Sequence, residues 1–196
     1  LHLLPCADAF VGSDVFSGLI ACAVQDNPLP ALYLDLGTNA EMVLITHNGL
    51  WCSSAAAGPA FEGGHVSCGS GSVPGAISSV RLQGATFTYT RIPQADKTSG
   101  LETHQSIGLC GTGLLDFLAS AKQAGLIKRD GSLARVCEST GVILDPALEL
   151  RLSAQDVREL QLAIAAVRAG IRILLDKAQI QYKDIAHVYL AGGFAF

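Results

Sequence analysis

Leu32-Tyr33-Leu34-Asp35-Leu36-Gly37-Thr38-Asn39-Ala40-Glu41-Met42-Val43-Leu44-Ile45-Thr46 is the stretch that decides how this chain is read. An apolar strand, with Leu32, Leu34 and Leu36 in alternation, delivers the Asp35 carboxylate into a Gly-Thr-Asn turn. A second strand over 42–45 carries the chain back. Such a turn gathers a negative charge, backbone N–H groups and a hydroxyl at one point on a sheet edge. A nucleotide phosphate with its metal ion needs that set: N–H and hydroxyl donors for the oxygens, a carboxylate for the hydrated cation. Gly37 has no side chain to hold a ligand away from the backbone. An ordinary hairpin with a Gly-Thr-Asn turn is the competing explanation.

Outward from this stretch the order of elements is α/β. Upstream, Ser13 is placed to cap a helix whose Val15, Phe16, Leu19, Ile20 and Ala23 share one side, and Asn27-Pro28-Leu29-Pro30 ends it. Downstream, the Asn48-Gly49 turn predicts a third strand over 50–53. Residues 55–75 are rich in Gly, Ala, Ser and Pro and read as a long functional loop with little regular structure. A hairpin is expected over 77–92, turning at Gln83-Gly84 with Phe87 and Tyr89 on one face, then a polar loop over 92–106. A helix is expected over 112–124, followed by a connection of no assigned structure to Arg151. Ser153 with Asp156 three residues on starts the longest helix, 154–179, about 40 Å long. Its stripe of Val157, Leu160, Ile164, Val167, Ile171, Leu174 and Ala178 is flanked by Leu162, Ile173 and Leu175. Apolar flanks favour burial against a sheet over a coiled-coil seam, with Gly170 allowing close packing. A last strand over 186–191 runs into Gly192-Gly193.

Composition narrows the classes. Of 196 residues, 49% are hydrophobic and 15% charged, so much of the chain is expected to be buried. A formal net charge of -4 supplies no basic footprint for nucleic acid. The six cysteines are scattered without a C-x-x-C pair, which argues against a structural zinc or iron–sulfur site in this segment and for reduced, cytoplasmic thiols. No apolar run is long enough for a membrane span. Both ends, Leu1 and Phe196, read as cut from a larger protein.

The 21 glycines cluster. Ala57-Gly58-Pro59-Ala60-Phe61-Glu62-Gly63-Gly64 sets small residues around one carboxylate. Gly108-Leu109-Cys110-Gly111-Thr112-Gly113 opens a helix, whose unpaired N–H groups and positive dipole end suit an anion. Tyr189-Leu190-Ala191-Gly192-Gly193 ends a strand in two glycines, leaving flat space that a purine could occupy. With the Asp35 turn, these make four glycine-rich segments in positions suited to one ligand.

In that order, Asp-Leu-Gly-Thr-Asn, Ala-Gly-Pro-Ala-Phe-Glu-Gly, Gly-Thr-Gly-Leu-Leu-Asp and Val-Tyr-Leu-Ala-Gly-Gly-Phe, the chain resembles the C-terminal ATPase region of reductive activators of corrinoid proteins. That group belongs to the acetate and sugar kinase, heat-shock protein and actin superfamily. The resemblance implies a ribonuclease-H-like (actin-like ATPase) α/β lobe with a mixed sheet and packed helices. Residues 1–196 would be one C-terminal lobe. It also implies ATP and Mg²⁺ as ligands and a corrinoid protein as partner. An iron–sulfur cluster outside this segment would donate the electron that returns cobalt(II) to cobalt(I). By motif, Asp35 would position Mg²⁺ or the attacking water, Gly37, Thr38 and Asn39 would contact phosphates, and Gly192 and Gly193 would form the adenosine-binding turn. Gly111, Thr112 and Gly113 would lie near the nucleotide, while Glu41, Glu62, Gly63 and Gly64 fall in signature positions without an assigned role.

Departures count as well. The superfamily uses two phosphate loops and only one Asp-x-Gly-Thr pattern is present, so the segment alone is expected to hydrolyse ATP poorly. Two other classes stay open: a small-molecule kinase on the same fold with Asp35 as base, and a non-catalytic docking module. The apolar bias also leaves room for a homodimer. Cys110 as an activated thiol lacks a nearby histidine. Glu62, His65 and Cys68 have metal-like spacing but sit in a glycine-rich loop; structural roles are the default for both.

Overall fold

The computed structural model describes residues 6, 10–93 and 108–192. In chain order its main elements are α1 (Ser13–Ala21), β1 (Ala31–Leu36), β2 (Ala40–Thr46), β3 (Gly49–Ala55), β4 (Ile77–Gln83), β5 (Thr86–Arg91), α2 (Gly111–Gln123), β6 (Val142–Asp145), β7 (Leu150–Leu152), α3 (Ala154–Ala178) and β8 (His187–Ala191). Two compact units result, residues 1–58 with 164–196 and residues 59–163; α3 runs from the second into the first.

In the first unit the quoted stretch is a hairpin, and β3 extends it to give a sheet of order β3-β2-β1-β8. β1 pairs antiparallel with β2, placing Asp35 opposite Glu41, and parallel with β8, placing Asp35 beside Ala191. Period-two alternation divides the side chains between two faces. Ala31, Tyr33 and Val43 join Val15 and Leu19 of α1, while Leu32, Leu34, Met42 and Leu44 join Leu174 and Leu175 of α3. Burial on both faces explains why β1 is apolar up to Asp35; each such leucine contributes roughly 1.5–3 kcal/mol.

The helix boundaries have local causes. α3 starts at a full capping box, with Ser153 N–H donating to Asp156 Oδ2 at 2.8 Å and Asp156 N–H to Ser153 Oγ at 3.1 Å. It ends where Gln179 turns left-handed at φ 57° and Ile180 N–H donates to Leu175 O at 3.1 Å. A methyl at Gly170 would overlap the Met42 thioether, so the close approach anticipated there is real. Val167, Ile171 and Ala178 pack on the sheet as expected. The flanks correct the argument in part: Leu175 is buried, but Leu162 and Ile173 are 67% and 54% exposed because they sit off the sheet-facing stripe. Ser13 is likewise not the cap of α1. Gly12 holds that position with extended backbone, and Ser13 is the first helical residue. Val11 and Phe16 bracket this start against the same core cluster, as a hydrophobic staple does. Ile20, expected on the buried side, is 58% exposed.

In the second unit, the β4–β5 hairpin turns at Gln83-Gly84 and covers α2, with Phe87 edge-on to Phe117 at 5.2 Å. The β6–β7 hairpin occupies part of the connection to which the sequence assigned no structure, burying Val142, Leu144, Leu150 and Leu152. Residues 55–75 contain a 3-10 turn, Pro59–Glu62, and otherwise follow the expectation of an irregular loop. Most of the loop over 92–106 lies outside the described residues, as does Gly193.

Candidate functional site

The carboxyl ends of two parallel strands meet at Asp35. In open α/β sheets that is where ligands bind, because the strand ends and following turns leave a crevice there. β1 ends in the Gly37-Thr38-Asn39 turn, closed by Gly37 N–H donating to Asn39 O at 2.9 Å. Thr38 and Asn39 are exposed at its tip. β8 ends at Ala191, and the next residue is Gly192, whose φ of 90° favours glycine. A Cβ built on Gly192 would stand 2.6 Å from Asp35 Oδ1 and 2.5 Å from Leu36 O. Backbone and carboxylate are therefore in direct apposition, and no side chain fits between them. Asp35, Glu41, Gly37, Thr38, Asn39 and Gly192, separated by up to 157 positions in the chain, form one locality.

Its electrostatics are unfavourable as they stand. Burial, and then the charge of Asp14 in the first turn of α1, push the Asp35 carboxyl above the ordinary range. Burial also raises Glu41, outweighing its own backbone hydrogen bond; repulsion from Asp35 and Asp14 adds to the rise, while a hydrogen bond from Ser54 Oγ at 3.4 Å opposes it. Tyr33, two residues before Asp35 on the same face, is pushed up to about 12 by burial and then by Asp35. Three carboxylates near one crevice repel a bare phosphate, whereas a divalent cation would relieve them. Among the described residues no group of three His, Cys, Asp or Glu side chains could hold a metal ion. The residues thus fit a hydrated Mg²⁺ carried in by phosphates, which asks for only one or two carboxylates, and do not fit an all-protein metal cage. Asp14 was not found from the sequence. A lone acid in a helix start carries no local sign that folding will bring it near Asp35.

The other two glycine segments lie in the second unit. Gly63 and Gly69 interlock backbone to backbone, and a Cβ on Gly108 would stand 2.6 Å from Ser70 Cβ. Leu109 bridges in parallel to both Gly69 and Ile77, so this packing leads straight into α2. At the helix start, a methyl on Gly113 would overlap the Ile77 carbonyl, and Thr112 Oγ1 donates to Ser78 O at 2.7 Å. Gly111 is buried. Close packing is thus a sufficient reason for Gly63 and Gly64, signature positions without an assigned role, and for Gly113, which the resemblance puts near the nucleotide. Gly64 packs on Pro59, 2.7 Å from an added Cβ. The turn holding Glu62 contacts α2, which keeps Glu62 in the same unit as Gly111 and Thr112.

The reactive-cysteine and metal alternatives gain nothing. Cys110 is buried with its Sγ 3.3 Å from Thr112 Oγ1. Cys68 is buried and its thiol pushed up to about 12, first by burial and then by Asp156, which suppresses the thiolate. No helix among the described residues is long and apolar enough to cross a membrane.

A mixed sheet with a carboxylate turn and a glycine turn at its parallel strand ends defines an actin-like nucleotide-binding lobe. Residues 30–195 match the family described as the C-terminal domain of RACo, the ASKHA domain, and the chain belongs to that family. It is 31% identical over 195 residues to "[Co(II) methylated amine-specific corrinoid protein] reductase" of Methanosarcina barkeri, covering 93% of this chain and 35% of that protein. Identity to "Corrinoid activation enzyme RamQ" of Eubacterium limosum is 27%, covering 97% of this chain and 34% of that protein. A solved "Reductive activator for corrinoid,iron-sulfur protein" superposes with a TM-score of 0.81 at 30% identity, over 98% of this chain and 32% of the other. The chain therefore spans about a third of the length of these relatives.

Proposed function

We propose that this chain is the ATP-binding domain of a reductive activator that returns a corrinoid protein from cobalt(II) to cobalt(I); the names of its relatives, a reductase of a Co(II) corrinoid protein, a corrinoid activation enzyme and a reductive activator, support the reading. The observation that carries the reading is the apposition of the Gly192 backbone and the Asp35 carboxylate at the carboxyl ends of β8 and β1. Phosphates would lie on the Gly37-Thr38-Asn39 turn, with the base and ribose against Gly192 and the Gly193 that follows it. Mg²⁺, when bound with the nucleotide, supplies charge neutralisation across the phosphate oxygens. Asp35 holds its hydrated cation or the attacking water; Glu41, opposite Asp35, shapes the charge of the crevice. By the family resemblance Gly111, Thr112 and Gly113 would lie near the nucleotide, while Glu62, Gly63 and Gly64 keep signature positions without an assigned role. The electron is delivered by an iron–sulfur domain elsewhere in the longer polypeptide. One electron passes to cobalt(II), and hydrolysis of ATP to ADP and phosphate provides the driving force.

The test is ATP turnover by the full-length protein with and without a cobalt(II) corrinoid protein, followed together with the absorbance of cobalt(I). Acceptor-independent hydrolysis stimulated by the corrinoid protein, and lost in Asp35→Ala, is the expected result. Phosphorylation of a small-molecule acceptor instead would replace this reading with a kinase. Binding of the corrinoid protein that ignores both ATP and Asp35→Ala would replace it with a docking module.

A further inference from the structure

Asp156 is a carboxylate only 2% exposed, and an ion so placed persists only where donors replace its water. Four donors do so. Ser153 donates its N–H at 2.8 Å and its hydroxyl at 2.7 Å, both to Oδ2. Ser67 donates its N–H to Oδ1 at 2.6 Å and its hydroxyl to Oδ2 at 2.7 Å. The Ser153 pair belongs to the cap of α3, and a cap needs nothing more. The Ser67 pair reaches 89 residues back, into the loop that follows Glu62-Gly63-Gly64. From there the connection continues through backbone. Leu109 N–H donates to Cys68 O, and Ser70 N–H to Leu109 O, each at 2.8 Å; Cys110 N–H then donates to Ile77 O at 3.0 Å. The next residue is Gly111, the first of α2.

We infer that Asp156 is a positioning residue for the glycine segments of the second unit, of which the family resemblance puts Gly111-Thr112-Gly113 near the nucleotide: through Ser67 it fixes the 63–70 loop, and through Leu109 the entry to Gly111-Thr112-Gly113. This rests on the nucleotide reading above for its functional meaning, though not for its structural content. The two serines provide the control, since each gives one hydroxyl to the same oxygen but only Ser67 lies on the path to α2.

Ser67→Ala and Ser153→Ala in the full-length protein should lower the melting temperature comparably. Only Ser67→Ala should raise KM for ATP, by about fivefold for one lost hydrogen bond, with kcat changing less. Amide exchange should quicken over 108–113 in Ser67→Ala and not in Ser153→Ala, with or without nucleotide. Ser67→Thr, which keeps the hydroxyl, should restore both. Equal effects of the two alanine variants on exchange over 108–113, or no effect of either, would overturn the inference. A protein that binds no ATP but shows the selective exchange pattern would instead overturn the nucleotide reading and leave the clamp standing.

Discussion

Asp35 is held where its charge is unwelcome. Because burial and Asp14 raise its folded-state pKa, its stability contribution is full below the unfolded value and is lost as pH rises through the folded value. At neutral pH it therefore costs folding free energy, which is the pattern the proposed binding role would leave. Asp35→Asn should melt at or above the wild-type temperature at pH 7, and the difference should vanish near pH 4 while nucleotide binding is lost; calorimetric scans at the two pH values check this. Asp156 has the opposite sign. Burial pushes its carboxyl up, but hydrogen bonds from the Ser67 N–H and from Ser153 outweigh it and the net shift is downward. Its contribution is full above the ordinary carboxylate range and lost as pH falls through the lowered value. Asp156→Ala should cost at least about 3 kcal/mol at pH 7 by leaving several buried donors unpaired, read as a drop in urea midpoint. That penalty should shrink in strong acid.

Glycines at element contacts differ in what lies across from them. At Gly113 the obstacle is the Ile77 carbonyl, part of β4 and unable to move without the strand. At Gly170 it is the end of the Met42 side chain, which is buried but flexible. Gly113→Ala should therefore cost more than about 3 kcal/mol. Gly170→Ala should cost no more than about 2, since overpacking is offset by roughly 1 kcal/mol of helix propensity. Denaturant unfolding of the two variants tests the order. The same scale shows what was legible. β1, β2 and β3 were readable from alternation and the Asn48-Gly49 turn, and α3 from its stripe and capping box, because those signals act within a few residues. The β6–β7 hairpin was not. Its strands are short and Pro146-Ala147-Leu148 separates them without a glycine, so the turn depends on Glu149 adopting a left-handed φ of 54°.

At the scale of the molecule, Trp51 is the single tryptophan, and it sits on β3 opposite Leu44 against the α3-facing core. Its emission reports unfolding of the first unit. If nucleotide binds at the Asp35 crevice, ATP with Mg²⁺ at 100 times Kd should stabilise the Trp51-reported transition by about 2.7 kcal/mol, and Asp35→Ala should abolish the shift. In the full-length protein, with any tryptophan outside these 196 residues replaced by Phe, a Trp51 transition insensitive to nucleotide would remove ATP from this site. The sequence by itself determined the parts: the carboxylate turn, the hairpins, the capped helix and the order of glycine segments, all set by contacts between neighbours in the chain. Only the tertiary structure decided that β8 lies parallel to β1 with Gly192 against Asp35, that Asp14 joins them, and that Asp156 reaches Ser67. Those pairings join residues tens to more than a hundred positions apart, and no local preference encodes which distant partner burial will select.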